Sequence, residues 1–140
     1  MNSVKPLVPS VTFFALVFIT IYFSAQSSSL QPSSSCLDCS YIEDILFFSI
    51  ITTLVIPLII LIQKRAKLKQ VLLSIIIAAI FFIIVFLGTL NVFQDRVSSW
   101  SSFSTSEELL SVLFESYPYL FLGTVIIFLL SRKALNLGKK

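Results

Sequence analysis

Four long apolar stretches that carry almost no charge constrain the fold more than any other feature of this sequence. The purest begins at Val71 and contains the run SIIIAAIFFIIVFLGTL. A helix of about 20 apolar residues crosses a hydrocarbon core roughly 30 Å thick. The stretches therefore predict four membrane-spanning helices, over about 7–25, 45–62, 71–92 and 112–131.

The composition supports lipid as the main solvent. The chain has 140 residues, of which 56% are hydrophobic and 12% are charged, whereas about a quarter of a soluble domain is charged. This length predicts one transmembrane domain over 1–140. Histidine is absent, which excludes a His-based acid, base or metal ligand. There is no Walker or dinucleotide motif, and a net charge of +3 is no nucleic-acid footprint, so no nucleic-acid partner is expected.

The charged residues fall on alternate sides of the predicted spans. Basic residues fill the link at about 63–70 and the C-terminal tail: Lys64, Arg65, Lys67, Lys69, Arg132, Lys133, Lys139 and Lys140. The acidic residues lie in or beside the loops at about 26–44 and 93–111, where Arg96 is the only basic residue. Short loops rich in Lys and Arg stay in the cytoplasm. We therefore expect an all-α, multi-pass four-helix bundle in the cell membrane, with both termini cytoplasmic.

The two outer loops are polar and rich in serine, which is typical of flexible linkers. In the second loop, Ser106-Glu107-Glu108 resembles a helix start with acids in its first turn. Nearby apolar residues such as Trp100 predict a short interfacial helix before the fourth span. Glu115 then lies either at the interface, in contact with water, or in the span as a proton relay. The first apolar stretch has one alternative interpretation, a cleaved signal peptide, which also leaves the next loop outside.

One local motif could support a reaction. Cys36-Leu37-Asp38-Cys39 lies just before the second span and contains the only two cysteines. Two neighbouring thiols can close and reopen a disulfide, and a helix that began near Cys36 would favour its thiolate. Acids at 38, 43 and 44 would oppose that thiolate. The spacing also fits a static disulfide or half of an intermolecular metal site, and no metal site within the chain is predicted.

The stretch SCLDCSYIEDILFFSI, after a first span ending IYFSAQ, resembles the disulfide bond formation protein B (DsbB-like) family. The matching motif is Cys36-x-x-Cys39-x-Tyr41, and the basic link and long second outer loop follow the same order. The resemblance implies a four-helix membrane oxidoreductase whose catalytic pair, Cys36 and Cys39, lies outside the cytoplasm. It implies that electrons pass from a thioredoxin-like thiol partner to a membrane quinone as cofactor, with Cys39 nearer the quinone ring. Tyr41 reads first as part of an interfacial aromatic belt and secondarily as a quinone contact.

Two positions depart from the family pattern. Glu43 stands where the family usually has an arginine, and the second outer loop lacks the family's second cysteine pair. These departures favour an alternative from another class: a non-catalytic accessory or assembly subunit of a larger membrane complex. Its partners would be other membrane subunits, and its cysteines would form a structural disulfide.

Overall fold

The computed structural model describes residues 7–55, 59 and 69–137. They form four α-helices: α1 (Leu7–Ser24), α2 (Tyr41–Thr53), α3 (Gln70–Arg96) and α4 (Thr105–Leu137). Short 3₁₀ turns follow α1 at Gln26–Ser28 and α3 at Ser98–Trp100. These residues contain no strand, so the predicted all-helical class is confirmed.

The second predicted span is described only in part. Beyond α2, Val55 and Ile59 are also helical. The rest of the predicted span, including Pro57, lies outside the described residues. So does most of the basic link, and so do both chain ends.

Side-chain caps set the starts of two helices. Ser40 accepts a hydrogen bond from the Glu43 N–H, and the Glu43 carboxylate accepts one from the Ser40 N–H, which forms a capping box at α2. Ser104 and Glu107 form the same reciprocal pair before α4. Each box satisfies backbone donors that the first helical turn leaves free.

α4 continues without interruption from its cap to Leu137, with Pro118 inside it. The prediction of a separate short interfacial helix before the fourth span is therefore wrong. The segment between Thr105 and Pro118 contains no glycine or proline to end a helix. The predicted interfacial residues after Thr105 are the first turns of α4.

One cluster of buried apolar side chains draws on all four helices. The Phe13 ring of α1 meets the Phe81 ring of α3 edge to face, with the centroids 5.7 Å apart. Gly88 of α3 faces side chains of both α1 and α2, because an added Cβ would stand 2.6 Å from Ile21 Cδ1 and from Phe48 Cε1. A larger residue would displace these two side chains.

Among the described residues, two segments are long and apolar enough to cross a membrane: Gln70–Trp100, with 31 residues, and Thr105–Lys133, with 29. The apolar part of α1 that passes the same composition test, Ser10–Ser24, is shorter. Large apolar side chains also point outward, such as Phe47 on α2 and Phe114 and Phe121 on α4. Water is a poor solvent for such faces.

Candidate functional site

The two cysteines form a disulfide in a tight turn just before α2. Their Cα atoms are 5.3 Å apart, and the Cys39 N–H donates to the Cys36 carbonyl at 3.0 Å. Both cysteines are half-buried, while Leu37 and Asp38 between them are exposed. The sulfur pair therefore lies at the molecular surface, at the end of the helices.

The structure corrects where α2 begins. Ser40 is its N-cap, so Cys39 immediately precedes the cap and Cys36 lies further out. The helix therefore does not begin near Cys36, and the condition under which its N-terminus would favour the Cys36 thiolate is not met. The same geometry explains Glu43, whose carboxylate is engaged by the Ser40 N–H at 2.7 Å.

Asp95, in the last turn of α3, binds the chain just before the disulfide. Its carboxylate accepts hydrogen bonds from Ser33 Oγ at 2.5 Å, Ser34 Oγ at 2.9 Å and the Ser35 N–H at 2.9 Å. Ser33 Oγ in turn accepts the Cys36 N–H at 3.1 Å. Burial raises the pKa of Asp95, but the serine donors outweigh it and hold the pKa below its usual value. Asp95 is thus a carboxylate, and the Ser33 hydroxyl links it to the Cys36 N–H.

Arg96, the next residue, binds the other end of the turn. Its side chain is only 3% exposed. Nε and Nη2 donate to Asp44 Oδ2 of α2 at 3.0 and 2.7 Å. Nη1 donates to the Gln31 carbonyl at 2.6 Å, and Nη2 also donates to the Cys39 carbonyl at 3.1 Å. Two consecutive residues of α3 therefore hold the chain on both sides of the disulfide.

Tyr41 lies beneath this cluster, with 8% of its surface exposed. Its hydroxyl donates to the Tyr22 carbonyl of α1 at 2.6 Å, and the Arg96 guanidinium stands 5.7 Å from its ring centroid. Tyr41 thus links α1 and α2 to the arginine. Its contact with a quinone stays a prediction.

Hydrogen bonds join the two serine-rich loops, for which composition predicts flexible linkers, to each other. Besides the Asp95 and Arg96 contacts, Trp100 Nε1 of the second loop donates to the Pro32 carbonyl of the first at 3.0 Å. Glu115 is exposed and accepts a hydrogen bond from Ser27 at 2.5 Å. The loops form a joint cap over the ends of the helices, because α3 supplies charged partners for the serines.

Sequence reasoning named the cysteines and Tyr41 but missed Asp44, Asp95 and Arg96. One signal was available: Arg96 is the only basic residue among the acid-rich loops. Its partner Asp44 lies 52 positions earlier in the chain, so no local pattern pairs the two. Within the described ranges, no group of three or more acidic or cysteine side chains is placed to hold a metal ion.

This chain matches no protein-family model, no curated protein and no solved structure at a significant level. The resemblance to the DsbB-like family therefore stays a prediction. Function has to be argued from the cysteine turn and its surroundings.

Proposed function

We propose that this protein is a four-helix membrane thiol–disulfide oxidoreductase that passes electrons from a thiol partner outside the cytoplasm to a membrane quinone. The observation that carries the proposal is the position of the Cys36–Cys39 disulfide. It lies in a half-exposed turn at the end of long apolar helices, within reach of a soluble thiol and close to where lipid would begin.

The outward faces of the helices support the membrane part of the proposal. In the most apolar 18 residues of each long segment, only 33% are buried within the protein for Gln70–Trp100 and 28% for Thr105–Lys133. Their outward side chains are large and apolar, with Phe114 74% exposed and Phe121 72% exposed. Lipid would cover these faces without the cost of hydrating them.

The charges at the helix ends support the proposed orientation. Lys69 precedes α3, and Arg132 and Lys133 lie near the end of α4. These positions are at the opposite helix ends from the cysteine turn, whose charged neighbours are acids and Arg96, which is paired with Asp44. Because basic segments are retained in the cytoplasm, this charge distribution supports an outer position for the cysteines.

The proposed chemistry balances as two successive exchanges. A thiolate of the partner attacks one sulfur of the Cys36–Cys39 bond, forms a mixed disulfide and releases the other sulfur. The partner's second thiol resolves the mixed disulfide, so the partner is oxidised and Cys36 and Cys39 are left as thiols. The reduced pair would then give two electrons and two protons to a membrane quinone. The quinone would leave as the quinol, and the Cys36–Cys39 disulfide would re-form.

The residues around the turn suit this chemistry. The Arg96 guanidinium donates to the Cys39 carbonyl, so it fixes the backbone of the cysteine that we place nearer the quinone.

A second candidate function is an accessory or assembly subunit with a structural disulfide. The specific observation in its favour is that the second outer loop, 93–111, contains no cysteine to receive a partner's electrons. In this case the disulfide would brace the cap and remain oxidised under all conditions.

The redox state of the pair in intact cells separates the two functions. A membrane-impermeant, mass-tagged maleimide would be applied with normal quinone levels and with quinone synthesis blocked. The Cys36→Ser/Cys39→Ser double variant supplies the unlabelled background. Accumulation of free thiols on quinone depletion supports the oxidoreductase, and each single Cys→Ser variant should then lose activity. A pair that stays oxidised regardless of quinone supports the structural role instead.

A further inference from the structure

The cysteine turn is held from both sides by contacts that do not involve sulfur. On the first side, Asp95 accepts from Ser33, whose hydroxyl accepts the Cys36 N–H. On the second side, Arg96 donates to the Cys39 carbonyl. All of these bonds use backbone groups or the side chains of other residues, so breaking the disulfide removes none of them.

The anchor of this arrangement is stiff. Asp95 and Arg96 are consecutive residues at the end of the 27-residue helix α3. Arg96 is buried against Asp44 and Tyr41 of α2, and Ser33 is 0% exposed. Charged hydrogen bonds between buried groups are stronger than neutral ones in water.

We propose that Asp95 and Arg96 are positioning residues for the Cys36–Cys39 pair. These two residues hold the turn closed while the cysteines are reduced. The proposal rests on the thiol–disulfide function above. Two thiols kept in the bridged geometry re-form their bond with little loss of chain freedom, so their effective concentration is high. A clamped pair therefore favours the disulfide and returns to it readily once an oxidant accepts its electrons.

The test is the thiol–disulfide equilibrium of the purified full-length protein in detergent, measured against glutathione redox buffers. Arg96→Gln weakens the hold on the Cys39 carbonyl, and Ser33→Ala removes the hydroxyl that links Asp95 to the Cys36 N–H. Each should make the pair about tenfold easier to reduce, which for a two-electron couple is about 30 mV. Arg96→Lys keeps the charge and one donor, so it should recover part of the shift.

Ser27→Ala is the matched control for Ser33→Ala. Ser27 belongs to the same loop and also donates to a carboxylate at 2.5 Å, but its acceptor is Glu115 and not Asp95. The control should leave the equilibrium unchanged. If Arg96→Gln does not fold, Ser33→Ala decides the question alone.

The proposal would be overturned if Ser33→Ala had the same thiol–disulfide equilibrium constant as wild type, and Arg96→Gln, where it folds, had it too. This holds even if the variants were less stable. Loss of stability without a change in redox equilibrium would assign these residues to folding only. The assay contains neither quinone nor partner. A shifted equilibrium combined with a pair that never responds to quinone in cells would therefore uphold the clamp and reject the proposed electron transfer.

Discussion

At the residue scale, Arg96 is a buried charge whose neighbours explain its presence. A guanidinium removed from water is costly unless its charge is paired and its N–H groups find acceptors. Asp44 supplies the charge, and the carbonyls of Gln31 and Cys39 accept two further hydrogen bonds. The same contacts tie the first outer loop, the cysteine turn and α2 to the end of α3. An arginine that looks like an exception to the charge pattern is thus the centre of the cap.

Asp95 makes the stability of the cap depend on pH in a defined direction. Its pKa is held below the usual value by the serine donors despite the opposing effect of burial. The bound carboxylate therefore adds stability in full above the ordinary aspartate pKa. That contribution is lost as the pH falls through the lower pKa of the folded state.

We expect wild type to be more stable than Asp95→Asn at neutral pH, and the gap to close in acid. The measurement is the free energy of unfolding of both proteins in detergent across the acidic range. Glu43 and Glu107 also have lowered pKa values, because their carboxylates accept hydrogen bonds from Ser40 and Ser104. These two acids are common to both proteins and cancel in the difference. A gap that persists undiminished in acid would show that the carboxylate charge is not its source.

At the element scale, the helices could be predicted from hydropathy, but their ends could not. Apolar runs give the presence and order of α1, α3 and α4, because a long uncharged run leaves few alternatives to a helix. The sequence predicts a helix start at Ser106, for a separate interfacial helix before a span at about 112–131, whereas α4 begins at Thr105 and its capping side chain is Ser104. Several serines near an acid all satisfy the same capping pattern, and only the three-dimensional contact selects one.

Gly88 lies in a tight contact between α3 and side chains of α1 and α2. Glycine in a helix interior costs about 1 kcal/mol relative to alanine, so a Gly88→Ala change that met open space would stabilise the protein. Here the new methyl group would lie 2.6 Å from Ile21 Cδ1 and from Phe48 Cε1. Overpacking of this kind costs about 1–3 kcal/mol, so after the backbone gain we expect a net loss of about 0–2 kcal/mol.

Unfolding by denaturing detergent in mixed micelles measures this change for Gly88→Ala. Ala79→Gly, on the exposed side of the same helix, gives the backbone contribution without a packing change. Ala79→Gly should lose stability through the backbone alone. If Gly88→Ala gained the same amount of stability, the tight contact at Gly88 would be contradicted.

At the scale of the whole molecule, the arrangement of the cap is what the sequence could not provide. Alternating apolar and polar stretches give four helices and two loops on one side. They do not show that Asp95 meets Ser33, since 62 positions separate them. Long-range polar pairs of this kind have no period and no local signature. The cysteine pair could be found because its two members are close in sequence, while the residues that hold it could not.

The distribution of charge along the helices leads to a prediction about orientation. Lys69 and Asp95 lie at opposite ends of α3, which at 1.5 Å per residue are about 40 Å apart. Glu107 and Lys133 lie toward opposite ends of α4. In both helices the acidic residue is at the end beside the cap and the basic residue is at the other end. Because basic flanks are retained in the cytoplasm, the acid-rich cap with its disulfide should face outward and the C-terminus inward.

Single cysteines in the Cys36→Ser/Cys39→Ser background test this orientation. Ser102→Cys, in the exposed second loop, should react with an impermeant maleimide in intact cells. A cysteine added after Lys140 should react only after the membrane is permeabilised. The reverse pattern would place the cap in the cytoplasm, where thiols are kept reduced, and would remove the basis for an exchange with an external partner. Labelling of both sites in intact cells would mean that α4 does not cross the membrane, because α4 is the helix that separates Ser102 from the C-terminus.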